Sequence, residues 1–278
     1  MFVPEVFPPV SNSINTNVGA MVALASLRTT QSTLNTASKQ VQTGYRVSDA
    51  SDDASTFSVA QGIRGNLQAF QAVQGSLANG VGLGQVTMAA LTNISNLIGN
   101  LQAKSTQYLD GSISTSQQFI YSRDAIQLYL QISNFISQAN YNGVNLLSNN
   151  SVAKTFLADV SATTLPMSSQ SSVATALAAY QPAMPTLFTV SLGTLATFKD
   201  AVDNALGQVA AETRTLKLQS GFIDSVMDAT TTGLGAVVDA DIGKASASVQ
   251  ALQVRQQLGI QSLSIANQQP SVLLGLFR

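Results

Sequence analysis

The sequence contains no cysteine, histidine or tryptophan among its 278 residues. Without cysteine, no disulfide can hold the fold together. Without histidine or cysteine, the common nucleophile triads and the usual zinc sites are excluded. Carboxylate pairs remain available, because aspartate and glutamate together number 14. The composition therefore points away from most hydrolytic and zinc-dependent enzymes, and we expect no catalytic residues, no cofactor and no metal.

Charge is also scarce, since charged residues make up 10% of the chain against about 25% in ordinary globular proteins. Residues 65–103 and 160–198 contain none. A soluble monomer normally covers its surface with charge, so an uncharged polar surface suits a subunit that buries itself against copies; a compositional bias of the source organism is the alternative. The 13 basic residues balance the 14 acidic ones, and we expect neither nucleic acid nor membrane as a partner.

Neither a transmembrane span nor a signal peptide is predicted. The best span candidate, residues 256–277, contains Asn267, Pro270 and five glutamines, which hydrocarbon would not tolerate. Residues 1–10 lack a basic start and an unbroken apolar core. We interpret residues 1–13 as an N-terminal extension, in which three prolines favour extended chain.

Each end of the chain predicts one helix with a narrow apolar seam. Apolar residues recur every seven residues near the start of the chain, and every three or four residues near its end, on otherwise polar segments. This pattern is typical of coiled coils. The seams can pair with each other or with other chains, and we favour other chains because the stripes are too narrow for a globular core. The predicted subunit-interface residues are Ile14, Leu24, Leu27, Leu34, Val41, Ile242, Val249, Leu252, Leu263 and Leu274.

Two pairs of aspartates precede predicted helices. Asp52 and Asp53 stand before a helix that begins near residue 54, and Asp239 and Asp241 stand before the last helix. We interpret all four as helix caps rather than metal ligands or acid–base pairs, because no other ligand types cluster nearby.

The glycine series at 80, 82 and 84 raises a similar choice between a binding site and a structural feature. It lacks the lysine and the preceding strand of a phosphate loop, so we predict close helix packing.

The middle of the chain predicts longer helices over about 54–105, 114–139 and 195–238. An Asn-Gly turn follows the second of these. Residues 150–197 lose the helical period, and alternation over 187–192 indicates a strand. Gly44 is expected to end the first helix and Pro270 to end regular structure.

The predicted fold is mainly α, with long antiparallel helices: a coiled-coil terminal domain and a helical bundle with a small β-hairpin tip. Residues 14–53 and 239–278 form the terminal domain in this interpretation, residues 54–150 and 198–238 form the bundle, and residues 151–197 form a variable tip.

Short motifs stand at defined positions towards both ends of the chain. Residues 14–17 read Ile-Asn-Thr-Asn, residues 42–47 read Gln-Thr-Gly-Tyr-Arg-Val, and residues 141–147 read Tyr-Asn-Gly-Val-Asn-Leu-Leu. Towards the other end, residues 238–241 read Val-Asp-Ala-Asp and residues 266–270 read Ala-Asn-Gln-Gln-Pro. These motifs resemble those of bacterial flagellin, and their order and spacing make the resemblance specific over about 14–147 and 200–278.

The resemblance implies a structural subunit that self-assembles into the bacterial flagellar filament for swimming motility. The terminal helices would form an inner tube, the bundle would surround it, and the tip would face outward. Export through the flagellar type III apparatus would make the protein extracellular. Its partners would be copies of itself, an export chaperone, and the hook-associated junction and cap proteins. Two departures from the family are the residues before Ile14 and a short middle that lacks large outer domains.

Three other functions remain at this stage. The hook–filament junction protein shares the terminal pattern, and a short ring instead of a long homopolymer would identify it. A cell-surface binding flagellin homologue would use the tip as a binding module. A flagellin with a protease insert needs a His-Glu-x-x-His zinc site, which a chain without histidine does not have.

Overall fold

The computed structural model describes residues 16–180 and 192–276, with side chains described as far as 268. These residues form six helices and one two-stranded sheet. In chain order the elements are α1 (Val18–Thr43), α2 (Ala54–Tyr108), α3 (Thr115–Gln138), β1 (Lys154–Leu157), β2 (Thr164–Met167), α4 (Ser171–Tyr180), α5 (Leu192–Val238) and α6 (Ile242–Leu276). The mainly α prediction is confirmed. The extension 1–13 and residues 187–191 of the expected strand lie outside the described residues, and Leu192 begins α5 instead of ending a strand.

The chain divides into two compact units. The terminal unit comprises residues up to 64 and from 231 onward, and the central unit comprises residues 65–230. The division falls inside α2 and α5, whereas the predicted domain boundaries stood at the loops near 53 and 239.

The terminal unit is built on α1 and α6, which pack against each other. They run antiparallel. Near the start of α1, Asn17 bonds to Ala266; further along, Gln31 bonds to Gln256; and Gly44 beyond its end bonds to Ala240. Its buried centre consists of Leu34, Ala37 and Leu252, with Val249 packed beside them. Leu34 and Ala37 are three residues apart on α1, and Val249 and Leu252 are three residues apart on α6, a spacing that keeps each pair on one face of its helix.

Both ends of α1 follow the usual rules for helix termini. Asn17 is the N-cap, and its side-chain oxygen accepts a hydrogen bond from the Ala20 amide at 2.9 Å. Gly44 is the C-cap at φ +75°, in the left-handed region that glycine adopts without a Cβ penalty. The predicted stop at Gly44 is confirmed.

The helix α6 continues to Leu276 and passes through Pro270, so the expectation that this proline ends regular structure is wrong. Proline removes the N–H that would bond to the carbonyl four residues earlier, which here belongs to Ala266. The Asn17 side chain supplies the missing donor, with Nδ2 at 2.6 Å from the Ala266 oxygen. A tertiary hydrogen bond thus compensates for the loss inside the helix.

The central unit contains two buried clusters. The larger joins α2, α3, α4 and α5 around seventeen buried residues, including Leu91, Ile98, Ile132 and Phe198. The smaller joins α2 and α5 to the sheet and to the turn after α3, around Leu77, Leu83, Leu146, Met167 and Leu216 among others. This unit therefore has an interior of the kind found in ordinary helical domains.

The hairpin of β1 and β2 is antiparallel and pairs Thr155 with Pro166. A two-stranded sheet has two edge strands, so a proline without an N–H is tolerated there. The predicted Asn-Gly turn is also present, since Asn142 and Gly143 both have positive φ between the bridged residues Tyr141 and Val144, which is the geometry of a type I′ turn.

The segment 151–197, predicted as a variable tip, contributes side chains to both buried clusters of the central unit. Met167 of β2 is buried in the smaller cluster. Val173, Leu177 and Tyr180 of α4 are buried in the larger one. Removing these side chains would leave cavities in both cores, and each large-to-small change of this kind costs about 2–5 kcal/mol.

The glycine series on α2 is a packing feature, as predicted. A Cβ added at Gly80 would lie 2.9 Å from Leu216 and Phe156, and one added at Gly82 would lie 2.7 Å from the Tyr141 ring. One added at Gly84 would lie 2.0 Å from the Thr213 hydroxyl oxygen. The missing side chains let α5, β1 and the turn at Tyr141 approach the α2 backbone.

Candidate assembly interface

The structure places half of the predicted interface residues in a seam between α1 and α6 of the same chain. Leu34 is 8% exposed and Leu252 is 9% exposed, and both belong to one cluster with Ala37. Leu27, Val249 and Leu263 are half-buried. The preference for partners on other chains is therefore corrected for the centre of this seam, because α1 and α6 supply each other's partner.

Three other predicted residues remain exposed at the flanks of the helix pair. Leu24 and Val41 on α1 and Ile242 at the start of α6 are exposed apolar side chains. Ile14 lies outside the described residues, and of Leu274 only the backbone is described. The exposed side chains, unlike those of the seam, have apolar surface still available for another molecule.

A second apolar stripe on α6 was missed in the sequence. Val254 is 55% exposed, Leu258 is 57% exposed and Ile265 is 64% exposed. At 100° per residue these three share one line along the helix, and Leu252, Gly259 and Leu263 lie on the opposite side. The sequence does contain this stripe, as apolar residues spaced by four and by seven. It was hidden by the apolar residues of the seam, because the two sets alternate along the same segment.

The first turns of α1 carry exposed apolar side chains of their own. Met21 and Val22 are exposed, and neither belongs to the seven-residue series that runs through Leu27 and Leu34. Because α1 and α6 are antiparallel, this part of α1 lies at the same end of the pair as Ile265. Both helices thus carry exposed apolar residues away from the seam, Met21 and Val22 on α1 and Val254, Leu258 and Ile265 on α6, and these five together are called the exposed stripe.

Two of the four predicted caps are confirmed. Asp53 accepts hydrogen bonds from the amides of Ser55 and Thr56 at the start of α2. Asp241 accepts one from the Lys244 amide at the start of α6. In both cases a side-chain oxygen satisfies backbone donors that the first helical turn leaves unpaired.

Asp52 is not a cap, and the prediction for it is wrong. Its carboxylate accepts a hydrogen bond from Lys39 Nζ at 2.8 Å and further hydrogen bonds from the backbone amides of Ser48 and Asp49. Hydrogen bonds lower the pKa of Asp52: the bond from Lys39 contributes most, and the bond from the Ser48 amide is the second largest contribution. Lys39 also bonds Asp49 at 2.5 Å and so attaches the loop after Gly44 to the last turns of α1.

Asp239 is not a cap either. It forms an isolated β-bridge with Tyr45, and its amide donates to the Gly235 carbonyl. Beside this bridge, the Arg46 amide donates to Val238 at 2.7 Å and the Ala240 amide donates to Gly44 at 2.9 Å. The connection between α5 and α6 is thereby fixed to the loop that follows α1.

Two kinds of feature are absent among the described residues. Among them, no group of three or more acidic side chains is placed to hold a metal ion. No helix in this part of the chain is long and apolar enough to cross a bilayer.

Residues 14–152 match the family described as the bacterial flagellin N-terminal helical region, and residues 194–277 match the bacterial flagellin C-terminal helical region. The chain is 33% identical to flagellin FljK of Caulobacter vibrioides over 274 residues, covering 96% of this chain and 99% of the relative. It is 30% identical to a flagellin of Brucella melitensis at the same coverage.

Among solved structures, Bacillus cereus flagellin matches with a TM-score of 0.40 and 20% identity, over 56% of this chain and 88% of that one.

Proposed function

The chain belongs to the bacterial flagellin family and is a structural subunit of the flagellar filament, and from this premise we propose that it polymerises through the exposed stripe of its paired end helices. The observation that supports the proposal is the division of apolar residues on α6 between two opposite faces. One face packs on α1, and the other carries Val254, Leu258 and Ile265 without cover in the single chain.

A pair of helices that is apolar on its outside is poorly suited to remain alone in water. Exposed apolar surface is normally a site of association, and burying it contributes about 25 cal/mol per Å². The scarcity of charge supports the same conclusion, because residues 256–268 of α6 carry none. No charge there would have to lose its water when copies pack together.

The predicted interface residues take two roles in this proposal. Those of the seam, such as Leu34 and Leu252, hold α1 to α6 and so shape the surface. Those at the flanks, Leu24, Val41 and Ile242, extend the exposed stripe towards neighbouring copies. A shallow groove beside Val41, lined also by Gln42, Val249 and Gln253, offers space for a neighbour's side chains.

The domain arrangement follows from the same proposal. Residues 14–53 and 239–278 would form the inner tube, residues 54–150 and 198–238 the surrounding layer, and residues 151–197 an outward part. Export would deliver the subunit to an extracellular flagellum, with a chaperone, junction and cap proteins as further partners. The proposal includes no catalytic activity, and the family is a structural one.

A charge placed in the exposed stripe tests this function directly. Leu258→Asp should prevent seeded elongation of filaments while leaving the helicity of the free subunit unchanged, because an unpaired buried charge is costly only after assembly. The matched control is Ser264→Asp, which adds the same charge to an exposed position of α6 away from the stripe. Sedimentation and electron microscopy of seeded subunits measure the result.

Normal filaments from Leu258→Asp would refute the proposed interface. Equal inhibition by both variants would mean that net charge, and not the stripe, controls assembly. Short rings from the unaltered chain would point to the hook–filament junction protein.

A further inference from the structure

The seam between α1 and α6 carries little information about register. The residues that face each other across the seam include alanine, threonine, glutamine and glycine as well as leucine. The seam positions recur every seven residues on both helices. Sliding one helix by seven residues would again place small and apolar residues opposite each other, and weakly patterned seams of this kind are prone to slippage. Contacts outside the apolar seam must therefore select the observed register. The bonds between the loop after α1 and the residues before α6 act at one end of the pair, and a further contact is needed at the other end.

The hydrogen bond from Asn17 to Ala266 has the properties of such a contact. Pro270 is the only proline within α6, so Ala266 has the only interior carbonyl of this helix that loses its helical donor to a proline. Asn17 Nδ2 donates to that oxygen at 2.6 Å. In a register shifted by one heptad, Asn17 would face carbonyls of α6 that already accept a hydrogen bond from the amide four residues later in the helix.

The surrounding residues allow this approach and leave the Asn17 side chain little freedom. Its oxygen is held by the Ala20 amide at 2.9 Å, which directs Nδ2 away from α1. A Cβ added at the neighbouring Gly19 would lie 3.4 Å from the Asn17 oxygen and 3.9 Å from Ala266 Cβ. The two helices are close at this point because both carry small residues there.

We propose that Asn17 and Pro270 together form a register key: the proline frees one carbonyl on α6, and the asparagine recognises it, which selects one alignment of the helix pair. Asn17 is thus a positioning residue for assembly, because the composition of the exposed stripe depends on the alignment of α1 with α6. This inference rests on the proposed function of that stripe, and it assigns to Pro270 a specific role in place of that of a helix terminator.

The chain contains no native cysteine, so introduced pairs report the register without background. Leu27 lies against Gly259 and Gln31 bonds Gln256, which makes Ala23 and Leu263 the next partners in antiparallel order. A disulfide between Ala23→Cys and Leu263→Cys reports the observed register. One between Ala23→Cys and Gln256→Cys reports a slip of one heptad. Doubly substituted full-length chains are mixed with excess unaltered chain, so that disulfides form within single subunits.

In the otherwise unaltered chain we expect the 23–263 disulfide almost exclusively. Asn17→Ser keeps a capping hydroxyl, but the serine side chain is too short to reach Ala266. The ratio of observed to slipped disulfide should therefore fall by about tenfold, as expected when the Ala266 carbonyl loses its donor. Pro270→Ala should also increase slippage, although it restores a helical N–H and favours the helix. A purely stabilising role for Asn17 would not produce slippage in Pro270→Ala.

The inference is overturned if both variants retain the 23–263 disulfide alone. It is overturned as well if Pro270→Ala behaves like the unaltered chain while Asn17→Ser slips, because the asparagine would then select the register without the carbonyl that the proline frees. Failure of the unaltered chain to form filaments would count against the proposed function instead, and the disulfide ratio in the soluble subunit would still decide whether the key exists.

Discussion

The two compact units of this chain differ in how completely they bury their apolar side chains. The central unit encloses two clusters that involve four helices and a hairpin. The terminal unit has one small cluster at its helix seam, with Leu34, Ala37 and Leu252 as its buried members, and it exposes a stripe of comparable residues on the outside. One unit therefore has the interior of an independent domain, whereas the other leaves apolar side chains exposed, which the proposed assembly would cover.

Removal of the terminal helices is the strongest test of this comparison. A fragment of residues 54–238, which keeps α2 to α5 whole, should stay soluble, helical and monomeric and should not polymerise. The full chain should form long filaments when seeded. Isolated helices with narrow seams gain most of their stability from packing, whereas the cores of the central unit are retained in the fragment. Circular dichroism and analytical ultracentrifugation measure both properties.

A fragment that unfolded would show that the central unit depends on the terminal helices. A fragment that polymerised like the full chain would remove the basis for assigning assembly to them.

A glycine exchange in the central unit should have a smaller effect. Gly84→Ala places a Cβ 2.0 Å from the Thr213 hydroxyl oxygen and 3.0 Å from Met167, and overpacking of this kind costs about 1–3 kcal/mol. Gly99→Ala on the same helix meets nothing within 4 Å, so it should stabilise the subunit by up to about 1 kcal/mol through helix propensity. Calorimetry of the free subunit should therefore show melting temperatures that move in opposite directions. Equal shifts would mean that the glycine series has no packing role.

The smallest expected effect concerns the loop that follows α1 and depends on pH. Hydrogen bonding, above all from Lys39, lowers the pKa of Asp52. A lowered carboxyl pKa stabilises the folded loop above the ordinary value of about 3.9, and this contribution is lost as the pH falls through the folded value. The pKa of Lys39 is raised, mainly by its hydrogen bond to Asp49, so its contribution is lost only as the pH rises through a value above 10.5.

We expect the protection of the Ser48 and Asp49 amides, measured relative to their intrinsic exchange rates, to be constant between about pH 5 and 9 and to fall in stronger acid. Asp52→Asn should accelerate exchange at neutral pH and reduce this acid response. Asp159→Asn changes a carboxylate whose pKa is also lowered, chiefly by Thr163 in the hairpin of the central unit, and should leave the loop unchanged. An unaltered acid response in Asp52→Asn would refute the role of this carboxylate.

Much of this architecture could be predicted from the sequence, because periodicity and capping are local signals. Gly44, Asp53 and Asp241 stand where a helix must end or begin, and the structure confirms them. Asp52 could not be separated from Asp53 by sequence, since both precede the same helix and only the position of Lys39 in space distinguishes them.

The errors share a physical cause, which is that a distant part of the chain decides the outcome. Pro270 lies inside a helix because Asn17 supplies a donor from far along the sequence. The short helix α4 survives because Val173 and Leu177 enter a core made by other helices. The second apolar stripe on α6 became recognisable only after the first was seen to be occupied by α1.

The hydroxyl groups of α1 have a consequence for how this helix can be buried. Thr29, Thr30, Thr33 and Thr36 each donate to the carbonyl four residues earlier in their own helix. Their donors are thus satisfied within the helix, as Ser and Thr side chains in helices commonly achieve. A threonine-rich face with this geometry can be desolvated without leaving hydroxyl donors unpaired. The side of α1 that looks most hydrophilic in the sequence is therefore one that a neighbouring molecule can cover at little cost.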